Sequence, residues 1–232
     1  YMASGDIRPD EAAEEIERCL RAGKHVVTPS LYSMYDPTSA PDELRSRMEE
    51  ACVAGGASLL VTGVDPGWAN DAMAVLAAGL CTNIREIRCQ EIFDYSTYDQ
   101  PHAVRVLCGF GQPMEELPMM LFPEVPTMVW GGNLRLIARA LGLELDEIVE
   151  SVERRPLDHD VDTPMGRFDA GTQGAFRLQI IGRVDGRDRI VVDHITRVDP
   201  ACGPEWPQPD VGIGDHRVIV EGDPRLEIVV RA

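Results

Sequence analysis

The stretch SLLVTGVDPGWAND, residues 58–71, joins a short apolar run to a turn and the start of a helix. Residues 59–64 are typical of a buried strand, and Asp-Pro-Gly at 65–67 ends it. Asp71 can then cap a helix. Such strand–turn–helix junctions place backbone N–H groups and polar side chains at the carboxyl edge of a sheet, where open α/β folds bind ligands. The stretch therefore predicts a binding site, or else a simple corner built from glycine and proline.

The segments around this stretch predict a parallel sheet. Residues 10–22 and 41–55 carry apolar side chains at helical spacing, with glycine after each. Residues 24–29 are typical of a short strand with both valines buried, and residues 71–80 of another helix. Two strands separated by a helix favour parallel pairing with right-handed crossovers.

The second half of the chain has a different pattern, and a second domain is expected to begin at residue 83. Strands are predicted at 84–95, 176–184, 189–198, 218–221 and 226–230, and helices at 102–109, 127–141 and 145–152. Asp185-Gly186 is a strong hairpin signal between two of the strands. Pro- and Gly-rich residues 202–214 are expected to form a loop.

Composition excludes several classes of protein. The 232 residues are 44% hydrophobic and 26% charged, which is typical of a globular protein, and carry a formal net charge of −17. This charge disfavours nucleic-acid binding, which needs clustered Lys and Arg. No run is long enough to span a bilayer. The six cysteines form no CxxC pair and have no histidine at zinc-ligand spacing, so we expect a reducing, cytoplasmic environment and no metal site.

Five strings carry a resemblance to a known family: ASGD at 3–6, AGKHVVT at 22–28, GVDPGWAND at 63–71, QEIFDYSTYDQP at 90–101 and GTQGAFR at 171–177. With the order of elements, they resemble the dihydrodipicolinate-reductase-like oxidoreductases, in the branch of 2,4-diaminopentanoate dehydrogenase and related amine dehydrogenases. The resemblance implies an α/β fold: the C-terminal half of a Rossmann-type parallel sheet, followed by an α+β domain with an open mixed sheet. Residues 1–82 would be a partial NAD(P)-binding domain, and residues 83–232 would bind a small-molecule substrate and form a homodimer or homotetramer through the sheet.

Three departures from the family pattern affect the functional prediction. The GxGxxG turn and first βαβ unit are absent, so the chain resembles an internal piece that starts near the fourth Rossmann strand and would bind NAD or NADP poorly alone. The His-His-x-x-Lys set of the reductases is absent from residues 91–96. The glutamate that amine dehydrogenases place after the fifth strand is absent from residues 28–33, although Asp36, Asp65 or Glu91 could substitute.

Candidate site residues follow from the chemistry of hydride transfer, which needs a flat apolar wall, backbone contacts for the nicotinamide amide, and a proton donor or acceptor. The predicted cofactor-contacting residues are Ala3, Ser4, Gly5, Thr28, Ser30, Asp65, Pro66, Gly67, Trp68 and Asn70. Trp68 offers a stacking face, or packs in the core instead. Asn70 offers hydrogen bonds to the cofactor, or only caps the turn. Ala3, Ser4 and Gly5 rest on the resemblance alone.

The predicted catalytic residues are Glu91, Tyr95, Tyr98 and His102. A strand that alternates inward and outward can aim Glu91 at the cleft, where apolar neighbours would raise its pKa. A surface carboxylate, core phenols and a structural histidine are the plainer alternatives. His25, His159, His194 and His216 show no partner pattern and are assigned no role. Trp130-Gly131-Gly132-Asn133 suits close helix packing, or the approach of a substrate.

These observations predict an NAD(P)-dependent oxidoreductase that acts on a small carbonyl, imine or amine. One alternative is a non-catalytic oligomerisation or ligand-binding module. Another is a sugar oxidoreductase with a similar two-domain plan, but that class needs a lysine near the strand end, and Lys24 is the only lysine in the chain.

Overall fold

The computed structural model describes residues 8–232, whose N-terminal part contains a small parallel sheet. Helices α1 (Pro9–Arg21) and α2 (Asp42–Gly55) pack beside strands β1 (Val26–Thr28) and β2 (Leu59–Val61). The two strands are parallel, as predicted.

The expectation that both valines of β1 are buried is wrong for Val27, which is 51% exposed. Side chains alternate along a strand, so Val26 and Val27 point to opposite faces of the sheet. Val26 packs into the core with Ile16 and Met48 of the helices. Val27 pairs in register with Leu60, and both are exposed on the other face.

The second part of the chain is built on a six-stranded mixed sheet. Its strands are β3 (Thr82–Asp94), β4 (Glu147–Pro156), β7 (Gln173–Val184), β8 (Arg187–Arg197), β9 (Gly214–Asp223) and β10 (Leu226–Arg231). Strands β5 (Val161–Thr163) and β6 (Gly166–Phe168) form a separate small hairpin. The order across the large sheet is β10-β9-β3-β8-β7-β4, in which only the β3–β8 pair is parallel.

Two helices cover one face of this sheet, which we call the helix face. They are α3 (Ala72–Ala78) and α4 (Val125–Ala140), and residues such as Met73, Leu134 and Ile137 on them pack against the strands. A π-helical segment, His102–Leu107, follows β3. Within residues 8–232, none of the helices combines the length and apolar character needed to cross a bilayer.

Both predicted hairpins of the second half are confirmed, since β7 pairs with β8 and β9 with β10. The helix predicted at residues 145–152 is wrong, because this segment begins β4, which pairs with β7. Ile148 and Val152 are four residues apart, a spacing that places two side chains on one face of a helix but also on one face of a strand. Pairing with β7 decides between the two, and that partner lies far along the chain.

Candidate active site

The turn that follows β2 holds an aspartate in a fixed position. Asn70 accepts a hydrogen bond from the backbone N–H of Gly67 at 2.9 Å and donates one to Oδ1 of Asp65 at 2.7 Å. Gly67 has φ +139°, and a Cβ there would lie 2.4 Å from backbone atoms of Gly63, so only glycine fits. The hydroxyl of Tyr35 donates to the carbonyl of Pro66 at 2.7 Å. The turn is therefore rigid and presents Asp65 toward the large sheet.

Glu91 lies opposite this turn, in the middle of the sheet. Strand β3 runs between β8 and β9, and the register places Glu91 between His194 and His216. Side-chain oxygens of Asp65 and Glu91 and a ring nitrogen of His216 lie within 4.8 Å of one another. The hydroxyl of Tyr95 donates to Oε1 of Glu91 at 3.0 Å. The turn after β2 and strand β3 thus bring the carboxyl groups of Asp65 and Glu91 together.

The surroundings of this pair disfavour two negative charges. Burial, and for Asp65 also the neighbouring Glu91, raises the pKa of both carboxyl groups to about 7. The indole N–H of Trp130, on α4, donates to Asp65 and favours its carboxylate. Two carboxyl groups this close hold one proton between them near neutral pH, and such a pair can act as acid and as base.

Two cavities meet at the carboxyl groups of Asp65 and Glu91, which we call the acid pair. Tyr95 and Tyr98 also line both cavities. One has a volume of about 310 Å³ and a mostly apolar lining from α4, the π-helical segment and the Met119–Met120 region. The other, of about 340 Å³, is completed by Val64, Phe93, Asp94, Thr97, Ile213 and His216. A small, mostly apolar molecule bound in either cavity would have its polar group beside the acid pair.

The other predicted catalytic residues are placed differently. Tyr98 is 47% exposed and lines both cavities. His102 is exposed at the first position of the π-helical segment and lines neither cavity. Their catalytic roles stay predictions.

The predicted cofactor-contacting residues lie along the turn after β2 and the end of β1. Thr28 and Ser30 are buried, and Oγ1 of Thr28 accepts a hydrogen bond from the N–H of Ser30. Trp68 is 43% exposed on the turn and so is not a core residue. Ala3, Ser4 and Gly5 lie outside the described residues. These contacts also stay predictions.

Of the three carboxylates that could take the place of the missing glutamate, Asp65 and Glu91 lie together and Asp36 lies elsewhere. Asp36 is buried and paired with Arg139 near the end of α4. Burial would raise the pKa of Asp36, but hydrogen bonds from Arg139, Ser39 and Thr38 outweigh it and leave this pKa below its ordinary value. Asp36 therefore fastens the segment after β1 to α4.

Sequence reasoning missed three residues of the site, namely Trp130, His194 and His216. His194 lies on a predicted strand, whereas His216 lies two residues before the strand predicted at 218–221, within β9. Each shares a face with buried apolar residues, and alternation alone would have turned it inward. Their position beside Glu91 depends on the parallel pairing of β3 with β8 and the antiparallel pairing with β9. Neither pairing leaves a local signal in the sequence.

The fold has two parts, in which a small parallel sheet precedes an open mixed sheet and the acid pair lies where the turn after the first meets the second. An amine dehydrogenase from Mycobacterium smegmatis superposes with a TM-score of 0.71 over 95% of this chain and 62% of that chain. Sequence identity is 18%, so this similarity concerns the fold.

The family model of the 2,4-diaminopentanoate dehydrogenase C-terminal domain matches residues 68–232, and the chain belongs to this family. An amine dehydrogenase of Streptomyces virginiae is 57% identical over all of this chain and 65% of its own length. A 2,4-diaminopentanoate dehydrogenase of Acetoanaerobium sticklandii is 27% identical over 88% of this chain and 56% of its own length. The chain thus spans less than two thirds of these relatives, and the predicted family resemblance is confirmed.

Proposed function

We propose that the protein is an NAD(P)-dependent oxidoreductase that interconverts a small carbonyl compound and the corresponding amine through an imine. The observation that carries this proposal is the Asp65–Glu91 pair at the meeting point of two cavities. The similarity to an amine dehydrogenase at 57% identity supports the amine as substrate.

The acid pair supplies the proton transfers that imine formation needs. The nitrogen lone pair of ammonia attacks the carbonyl carbon, the C=O π pair moves to oxygen, and a proton passes from nitrogen to that oxygen. A second proton goes to the hydroxyl as the C–O bond breaks and water leaves, giving the iminium ion. Asp65 and Glu91, which share one proton between them, can relay the first proton from nitrogen to oxygen and then donate the shared proton as the second. Their negative charge also favours ammonium and iminium over neutral ligands.

A nicotinamide cofactor, when bound, supplies the hydride that reduces the iminium carbon. The fit rests on the two cavities of about 310 and 340 Å³, which offer room for two small groups beside the acid pair. Thr28, Ser30 and the turn with Asp65, Pro66 and Asn70 would line the cofactor side. The side chains that line the two cavities would hold the reacting atoms beside the acid pair.

The test uses the complete protein encoded by its gene. We expect it to bind NADH or NADPH and to reduce small ketones or aldehydes in the presence of ammonium. Glu91→Gln and Asp65→Asn should each lower kcat by about 100-fold or more, because each removes one partner of the proton pair, while Glu91→Gln should change cofactor affinity little.

The control is Asp99→Asn, which removes an exposed carboxylate from the loop after β3 and should keep wild-type activity. Failure to bind either nucleotide would contradict the proposal and favour a non-catalytic ligand-binding module. Wild-type kcat in both acid-pair variants would contradict the role given to the pair.

We further propose that the protein is a cytoplasmic homodimer or homotetramer that associates through the sheet. The six cysteines, all within residues 8–232, are unpaired, which is consistent with a reducing environment. On the face opposite α3 and α4, charged side chains pair with one another, as in the bidentate contact of Arg177 with Asp193 at 2.8 and 2.9 Å. Charges that are already paired can be covered by a second subunit at lower cost.

A further inference from the structure

His194 is a buried histidine whose polar atoms have no hydrogen-bonding partner within residues 8–232. It is 5% exposed, and neither ring nitrogen makes a hydrogen bond. A buried polar group without a partner is unfavourable, because it loses its hydrogen bonds to water and gains none in the protein. An apolar side chain of similar size would avoid this cost, so packing alone does not account for an imidazole here.

The ring of His194 is held in one orientation by its neighbours. It stacks on Phe176 with a centroid distance of 5.6 Å and an interplanar angle of 2°, and Trp130 lies against it at 5.4 Å. Its Nε2 is thereby directed at Oε1 of Glu91, 3.6 Å away. This distance is slightly too long for a hydrogen bond, and such contacts often tighten when a ligand binds.

The same oxygen of Glu91 already accepts the hydrogen bond from Tyr95. We propose that His194 is a positioning residue for Glu91: with Tyr95 it engages Oε1, and so leaves Oε2 as the oxygen that exchanges protons with Asp65 and the substrate. Burial lowers the pKa of His194, which keeps the ring neutral and lets it donate one N–H.

Other groups that face Glu91 also affect its protonation and must stay constant in the test. They are Asp65 on the turn after β2, Tyr95 after β3, Cys108 after the π-helical segment, and His216 on β9. His216 lies on the opposite side of Glu91 from His194 and is half-buried against Phe93. It lines the cavity of about 340 Å³, whereas His194 lines the cavity of about 310 Å³.

The experiment compares two replacements of His194 in the complete protein. His194→Gln keeps a donor near the Nε2 position, whereas His194→Phe keeps the stacking on Phe176 but has no donor. We expect His194→Phe to lower kcat by about 10- to 100-fold with little change in KM, because a misdirected carboxylate loses alignment. The acidic limb of its pH–rate profile should move to higher pH, since Glu91 loses a donor that favours the carboxylate. His194→Gln should restore most of kcat and the wild-type profile.

The kinetic readout rests on the proposed function, so a second measurement is independent of turnover. NMR titration of ¹³C-labelled glutamate carboxyl groups should show a higher pKa for Glu91 in His194→Phe than in wild type and in His194→Gln. Equal Glu91 titration in all three proteins, or equal loss of kcat in both variants, would overturn the inference, because His194 would then act only by packing. A shifted Glu91 titration in a protein without amine activity would support the inference and contradict only the proposed reaction.

Discussion

At the scale of single residues, the site depends on a few donors that decide where one proton lies. Glu91 and Asp65 are chemically similar, but their donors differ: Tyr95 contacts Glu91, while Asn70 and Trp130 contact Asp65. These donors favour the carboxylate forms and so oppose burial, which raises the pKa of both carboxyl groups to about 7. We therefore expect the loss of one donor to raise the pKa of the carboxyl group that it contacts.

Trp130→Phe tests this expectation. The ring still fills its place on α4, but Asp65 loses the indole donor that lowers its pKa. We expect the pKa of Asp65 to rise by roughly one unit, since a hydrogen bond to a charged group contributes about 1.5–3 kcal/mol and one pKa unit corresponds to about 1.4 kcal/mol. The acidic limb of the pH–rate profile should move to higher pH, so activity is lost earlier as the pH falls. An unchanged profile with normal folding by circular dichroism would contradict the role of the indole.

At the scale of elements, helix α4 contacts both the turn that carries Asp65 and the segment after β1. It carries Trp130 toward Asp65, Arg139 toward Asp36, and Gly132 against the segment after β1. A Cβ on Gly132 would lie 3.0 Å from Cβ of Tyr35 and 3.3 Å from the backbone nitrogen of Asp36. The sequence allowed two interpretations of Gly131-Gly132, close helix packing or the approach of a substrate. For Gly132, the short contacts favour close packing.

Gly132→Ala and Gly131→Ala form a matched pair that measures this packing. Each alanine gains about 1 kcal/mol of helix propensity. At Gly132 the new methyl group meets chain segments that cannot move aside easily, which costs about 1–3 kcal/mol. At Gly131 the nearest atom, 3.0 Å away, belongs to the flexible end of Arg135.

Denaturant unfolding should therefore show Gly132→Ala as the less stable of the two by about 1–2 kcal/mol. Activity should fall as well in Gly132→Ala, because displacement of Tyr35 disturbs its hydrogen bond to Pro66. Equal stability of the two variants would show that the segment after β1 adjusts freely.

At the scale of the whole molecule, the two faces of the large sheet have separate tasks. On the helix face, Glu91 lies between His194 and His216, whereas one residue earlier the row Asp193, Gln90 and Arg217 lies on the opposite face. Asp193 is fully buried and accepts hydrogen bonds from Arg177 and Gln90, which hold its pKa below the ordinary value although burial alone would raise it. This pairing of charges supports the proposal that a second subunit covers the opposite face.

A single substitution on that face should change the assembly. Ile219 pairs in register with Arg88, so its side chain lies on the proposed interface. Ile219→Asp should reduce the molar mass measured by light scattering after size-exclusion chromatography, because an unpaired carboxylate would be buried between subunits. Val106→Asp, at an exposed position of the π-helical segment, is the control and should leave the mass unchanged. An unchanged mass for Ile219→Asp would place the contact elsewhere.

Local patterns in the sequence determined the turn after β2, the cap at Asp71, and both hairpins of the second half, because each depends on residues a few positions apart. They also predicted Glu91 and Asp65 as candidates. Only the tertiary structure decided that β4 is a strand, that Asp36 is paired with Arg139, and that His194 and His216 flank Glu91. The physical reason is that these outcomes depend on pairings between segments far apart in the chain, whose energy comes from strand register and burial rather than from local conformational preference.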